Sequence, residues 1–242
     1  METNMFKNLL ERASHRSCGI ALSLFTLIAL VHFTAAFLKS LALNFAGMIL
    51  FALISLTLVK KRYWQEIRIR KPIYPIYILW GIMLSILFVL VSYVITYITD
   101  FNPLNFMVIM AKQQLSYGVI TKYNTWQYFP IAALGFCTIS PLTEEFFFRG
   151  LLLKSFENKF GNSFANILQA FLFGLIHLAY FWLTLFDIFL IATVVPLMIF
   201  GGIIYGWVTQ RTNSVFSSII VHAFCNFVLI LLVFAFIIPA IG

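Results

Sequence analysis

The chain has 242 residues, of which 62% are hydrophobic and only 10% charged, against roughly half and a quarter in ordinary soluble domains. A water-soluble globule is excluded, because so much apolar surface needs the bilayer to solvate it. The net charge of +8 does not mark a nucleic-acid binder either, since the basic residues fall between apolar runs rather than on one polar face.

Lys7, Arg12 and Arg16 precede the first apolar run, as in a signal peptide. That run, over 17–38, is too long for one and more follow it, so it is expected to be retained as a first span. Further uncharged stretches cover 40–59, 72–99, 123–143, 160–186, 188–210 and 212–242. Each can cross a hydrocarbon core of about 30 Å as a helix, and none alternates like a barrel strand. The expected fold is therefore all-α, a polytopic transmembrane bundle of about seven membrane-spanning helices. The stretch over 101–120, interrupted by Pro103, Lys112 and the pair Gln113 and Gln114, is expected as a loop or interfacial helix on the outer surface.

Orientation follows from Lys and Arg alone. With the N-terminus in the cytoplasm, thirteen fall on inner segments: Lys7, Arg12, Arg16, Lys60, Lys61, Arg62, Arg68, Arg70, Lys71, Arg149, Lys154, Lys159 and Arg211. Lys39, Lys112 and Lys122 remain outside. The cluster from Lys60 to Lys71 reads as a topology anchor. It makes a natural seam within a chain divided into an N-terminal helical part, residues 1–125, and a core, residues 126–242, that carries the chemistry. Cys18, Cys137 and Cys225 are odd in number, form no CxxC pair and read as small buried hydrophobes.

Ionisable groups at bilayer depth are costly and survive where they are paired or used. Those that qualify are Glu144, Glu145 and Arg149 in SPLTEEFFFRGLLLK, His177 in FLFGLIHLAY, His222 and Asn226 in SSIIVHAFCNFVLILL, and His32 alone in the first span. At ~1.5 Å of rise per residue, Glu144 lies about 15 Å from a cytoplasmic helix end near Lys154, His177 about 21 Å from a start at Ser163, and His222 about 12 Å from a start at Ser214. Their depths allow them to meet. Glu145 and Arg149 are i,i+4 neighbours, so the arginine can neutralise Glu145 and leave Glu144 without a partner on its own helix. His222 and Asn226 share the same spacing, as do Phe173 and His177. Pro141 removes a backbone donor and Ser140 could cap a restarting helix, so a kink or break is expected there.

A carboxylate and an imidazole sharing one water form a general-base pair, and an imidazole with an amide on a facing helix can stabilise an oxyanion. This is a hydrolytic constellation. No serine or cysteine stands with the histidines in a nucleophile motif, so activated water is the simpler nucleophile. His32, with no motif around it, reads as a packing or interfacial histidine, and Gly201, Gly202 and Gly206 as a small-residue helix contact.

At these residues the sequence resembles the CPBP intramembrane proteases, the CAAX prenyl protease 2 and bacteriocin-processing family, with its ordered pattern EExxxR, FxxxH and HxxxN. The chain carries EEFFFR from Glu144 to Arg149, FGLIH from Phe173 to His177 and HAFCN from His222 to Asn226. The resemblance covers roughly residues 131–231. It implies that Glu144 and His177 activate the attacking water, that His222 and Asn226 hold the oxyanion, and that Glu145, Arg149 and Phe173 are structural or position the substrate. Members have been described as metalloproteases, so zinc on Glu144, His177 and His222 is the alternative to the favoured reading without a cofactor. The implied partners are a peptide or membrane-protein substrate and the lipid bilayer, with no nucleic acid. The implied role is secreted-peptide maturation or bacteriocin processing and self-immunity, in a multi-pass protein of a bacterial plasma membrane. The rival classes are a proton-coupled transporter and a catalytically silent immunity or scaffold protein.

Overall fold

A computed structural model of the chain describes residues 18–34, 46, 47, 49, 53, 68–102, 105–116, 124–180 and 188–241. Among the described residues there are seven substantial helices and no strand: α1 (Cys18–Thr34), α2 (Ile76–Ile98), α3 (Phe106–Ser116), α4 (Thr125–Phe160), α5 (Asn162–Tyr180), α6 (Ile188–Thr212) and α7 (Val215–Ile241). The chain is the expected all-α bundle. Of these helices α2, α4 and α7 are long and apolar enough to cross a membrane. Most of the expected span over 40–59 lies outside the described residues, as do Lys7, Arg12, Arg16, Lys39, Lys60, Lys61, Arg62 and Lys122.

Two local expectations take a more specific form in the structure. The segment expected as a loop or interfacial helix is a helix, α3, on which Phe106, Met107, Val108, Met110, Ala111 and Gln114 are buried, against α2 and the C-terminal end of α7. Its run FMVIMA has no polar face to offer an interface, so it packs inward. Nor does α4 break at Ser140 and Pro141. Two π-helical stretches, Gly135–Ile139 and Phe146–Leu152, bracket an α-helical segment Ser140–Glu145, and the backbone remains helical through the proline. The widened turn accommodates the ring: the Ser140 N–H reaches back five residues to the Gly135 carbonyl. In that register the next donor would be Pro141 and its acceptor Phe136, but proline has no N–H. The helix then runs past Lys154 to Phe160 and ends at Gly161, whose φ of 81° suits glycine.

Close approach of α5 to α6 brings the site's helices together. A Cβ on Gly174 would meet Ile199 at 2.7 Å and the Val195 carbonyl at 3.0 Å, and one on Gly202 would meet Ala170 at 3.0 Å. Gly206 is packed against Asn166 and Gln169. Gly201, by contrast, has nothing nearer than 3.9 Å, so of the expected small-residue contact Gly202 and Gly206 carry the packing. On α2 the buried residues Gly81, Ser85, Val89, Ser92 and Thr96 form a similar stripe on a helix packed against α6, α7 and α3.

The described part of the basic loop is more than a set of topology charges. Arg68 donates to Glu157 Oε2 at 2.7 Å and to Asn213 Oδ1 at 3.0 Å, while its carbonyl accepts the Val215 N–H at 3.0 Å. Gln210 also donates to Glu157, at 2.8 Å. Arg70 bonds the Asn213 carbonyl at 3.0 Å, and Ser214 bonds the Arg70 carbonyl. This latch ties the loop to the end of α4 and the start of α7. Arg149, counted above with the inner basic residues, is fully buried in the bundle and is not a loop charge.

Candidate active site

The site forms where α4, α5, α6 and α7 meet. Glu145 and Arg149 are both fully buried and paired, Nη1 to Oε1 at 2.9 Å, as their i,i+4 spacing on α4 predicts. The same Glu145 oxygen accepts from His222 Nδ1 of α7 at 2.8 Å. Arg149 continues through Nη2 to the Gly202 carbonyl of α6 at 3.1 Å, an oxygen that Gln169 of α5 also reaches at 3.0 Å. One carboxylate thus links α4 to α7 directly and to α5 and α6 through Arg149.

Phe173 is the packing hub of this cluster. Its ring centroid lies 4.5 Å from that of His177, 6.0 Å from that of His222 and 5.1 Å from that of Phe148, and the Arg149 guanidinium sits 4.4 Å from it in cation–π range. Both imidazoles therefore flank one ring. His177 Nδ1 donates to the Phe173 carbonyl one turn back, at 2.7 Å. That bond fixes the tautomer, so in the neutral ring Nε2 carries the lone pair.

Glu144 is buried, but its hydrogen bond runs to Ser140 Oγ at 2.6 Å on its own helix. The expectation that Glu144 lacks a partner on α4 is corrected by this bond. Ser140 does not cap a helix; it donates to the carboxylate one turn on. The other oxygen, Glu144 Oε2, is buried and has no hydrogen-bond partner among the described residues, a condition shared by Glu145 Oε2 and Arg149 Nε. His222, Glu145 and Arg149 all lie within electrostatic range of Glu144.

Asn226, one turn beyond His222, reaches back to α4: its Nδ2 donates at 2.7 Å to the Phe136 carbonyl. This is the acceptor that Pro141 leaves without a backbone donor. The amide has a second N–H, so one hydrogen completes the helix and the other is available for chemistry.

The seven motif residues therefore fall into one cluster of Glu145, Arg149, Phe173, His177 and His222, with Glu144 and Asn226 at its α4 side, each bonded to a group on α4. Sequence reasoning missed Ser140 as a partner, although its i,i+4 spacing from Glu144 is legible. It also missed Gln169 and Tyr205, whose places depend on helix pairing. No three His, Cys, Asp or Glu side chains among the described residues are grouped to hold a metal ion. Glu144 Oε1, His177 Nδ1 and His222 Nδ1 are bonded to Ser140, Phe173 and Glu145, so any ligand of these side chains would meet Oε2 and the two Nε2 atoms.

No curated protein and no solved structure matches the chain. Residues 124–228 match the family of type II CAAX prenyl endopeptidases described as Rce1-like. That stretch contains every residue of the three motifs and both π-helical turns around the acidic pair, so the region that holds the site is the region similar to this CAAX protease family.

Proposed function

We propose that this protein is an intramembrane endopeptidase that hydrolyses a peptide bond with a water activated at Glu144. The observation that carries the reading is the buried Oε2 of Glu144, without a partner among the described residues, on a carboxylate held only by Ser140, beside a Glu145 whose Oε1 already takes both Arg149 and His222. A buried carboxylate oxygen with no protein donor is a strong acceptor in want of one, and the water to be activated supplies it. The match of residues 124–228 to a prenyl endopeptidase family supports the same chemistry.

In this mechanism Ser140 holds one oxygen of Glu144 while the other takes a proton from water. His177 Nε2, left with its lone pair by the bond from Nδ1 to Phe173, accepts the second water hydrogen and orients the nucleophile. The water oxygen attacks the scissile carbonyl, and Glu144 later returns the proton to the leaving amine. His222 and the second N–H of Asn226 donate to the oxyanion. For His222 to donate from Nε2 while Nδ1 remains bound to Glu145, the ring must carry both protons, and the Glu145 carboxylate is the counter-charge for that form. The scheme routes no step through a metal.

The substrate is a peptide or membrane-associated protein, in maturation of secreted peptides or in bacteriocin processing and self-immunity. The setting is a plasma membrane with the N-terminus cytoplasmic. The test is a comparison of secreted and membrane peptides from cells carrying wild type and Glu144→Ala at matched expression. Peptides whose new termini vanish in the variant identify substrate and cleavage site together. Identical peptide profiles would reject the reading.

A further inference from the structure

We propose that Tyr205 is a positioning residue for this reaction, holding the His222 imidazole in its working plane by stacking. The inference rests on the peptidase reading above. The two rings lie 4.6 Å apart, centroid to centroid, and within 20° of parallel. The bond from His222 Nδ1 to Glu145 fixes one ring atom but leaves the imidazole able to swing about the line of that bond. A flat ring against its face removes the swing, and Phe173, at 76° to the imidazole and 6.3 Å from Tyr205, packs beside both rings. The hydrogen bond and the stack together determine where Nε2 points.

Tyr205 is itself held for the task. It is buried on α6, with the Cys225 thiol of α7 within electrostatic range of its hydroxyl. Cys225 stands three residues beyond His222 on α7, so the contact of Tyr205 with that helix centres on the imidazole face. Its ring also lies 5.2 Å from the Arg149 guanidinium, so it borders both partners of Glu145. Bulk alone would satisfy a packing role, whereas a near-parallel contact needs a planar side chain. The prediction therefore separates shape from volume: phenylalanine should replace Tyr205, and leucine or methionine should not.

The experiment uses the full chain in lipid nanodiscs with an internally quenched peptide selected from a library for cleavage by wild type and not by Glu144→Ala. Tyr205→Phe should keep kcat and KM close to wild type. Tyr205→Leu should lose roughly 100-fold in kcat, as for a group displaced by about 1 Å, with KM unchanged and the loss persisting after correction for folded protein. Tyr205→Met provides the same comparison if the leucine variant does not fold. Wild-type turnover per folded molecule in the non-planar variants would overturn the proposal, as would an equal loss in Tyr205→Phe. Histidine-selective nitrogen NMR gives an answer that needs no substrate. The hydrogen-bonded Nδ1–H signal of His222 should persist in Tyr205→Phe and broaden or vanish in the leucine or methionine variant; an unchanged signal in the latter overturns the proposal. If wild type cleaves no peptide in the library, the peptidase reading fails while the NMR comparison still decides whether Tyr205 holds His222.

Discussion

Glu144 and Glu145 are chain neighbours with opposite surroundings: Glu145 Oε1 receives both Arg149 and His222, at 2.9 and 2.8 Å, whereas Glu144 receives only Ser140, at 2.6 Å. Successive residues on a helix point about 100° apart, so one carboxylate is built into the interhelical network and the other stands beside it.

Replacing Glu144 should therefore remove chemistry without removing structure. Glu144→Gln keeps an oxygen for Ser140 and loses only the base, so turnover should fall by roughly 100-fold to 10,000-fold while the protein accumulates normally. Peptide cleavage per unit of folded protein is the measurement. Undiminished cleavage would defeat the glutamate mechanism.

Glu145→Gln should behave in the opposite way. It leaves a fully buried Arg149 without its counter-charge and weakens the anchor of His222. Breaking a buried pair from one side costs about 3–5 kcal/mol, so abundance and thermal midpoint in detergent should drop together with activity. A stable but inactive Glu145→Gln protein would assign that residue a direct chemical part instead.

Asn226→Ala should have two separable effects. Loss of an oxyanion donor lowers kcat by roughly 100-fold to 1,000-fold, and the orphaned Phe136 carbonyl lowers stability by about 1–3 kcal/mol. Adding Pro141→Ala restores a backbone N–H in register with that carbonyl. The double variant should regain stability without regaining turnover. Recovery of both would make Asn226 a structural residue only.

The Arg68 latch should matter for folding and not for the chemical step. Glu157→Ala strands a buried Arg68 and removes the acceptor of Gln210, and it should destabilise by about 3–5 kcal/mol. Cleavage by the protein that remains folded should keep its wild-type KM and kcat, as read by titrating active protein against the thermal melt.

Metal dependence distinguishes the two ways of activating water. Thorough chelation followed by dialysis should leave the cleavage rate unchanged in the glutamate scheme. Loss of activity that returns with added zinc would replace it.

Composition alone determined that this chain lives in a membrane, because 62% apolar residues cannot be hidden inside a soluble core of this size. Helical spacing determined the Glu145 to Arg149 pair and the shared faces of Phe173 with His177 and of His222 with Asn226, since i,i+4 contacts are set by the pitch of the helix and need no knowledge of neighbours. The Ser140 to Glu144 bond was legible by the same rule. Only the tertiary structure decided that His222 bonds Glu145 rather than Glu144, because that choice depends on the rotation of α7 against α4. The fate of Pro141 was equally out of reach. A proline removes one donor in any helix, but whether the backbone breaks or widens depends on what else can satisfy the stranded carbonyl, and here a side chain 90 residues away does so. Tyr205 was hidden for the same reason: among many aromatics, only helix packing sets one flat against an imidazole.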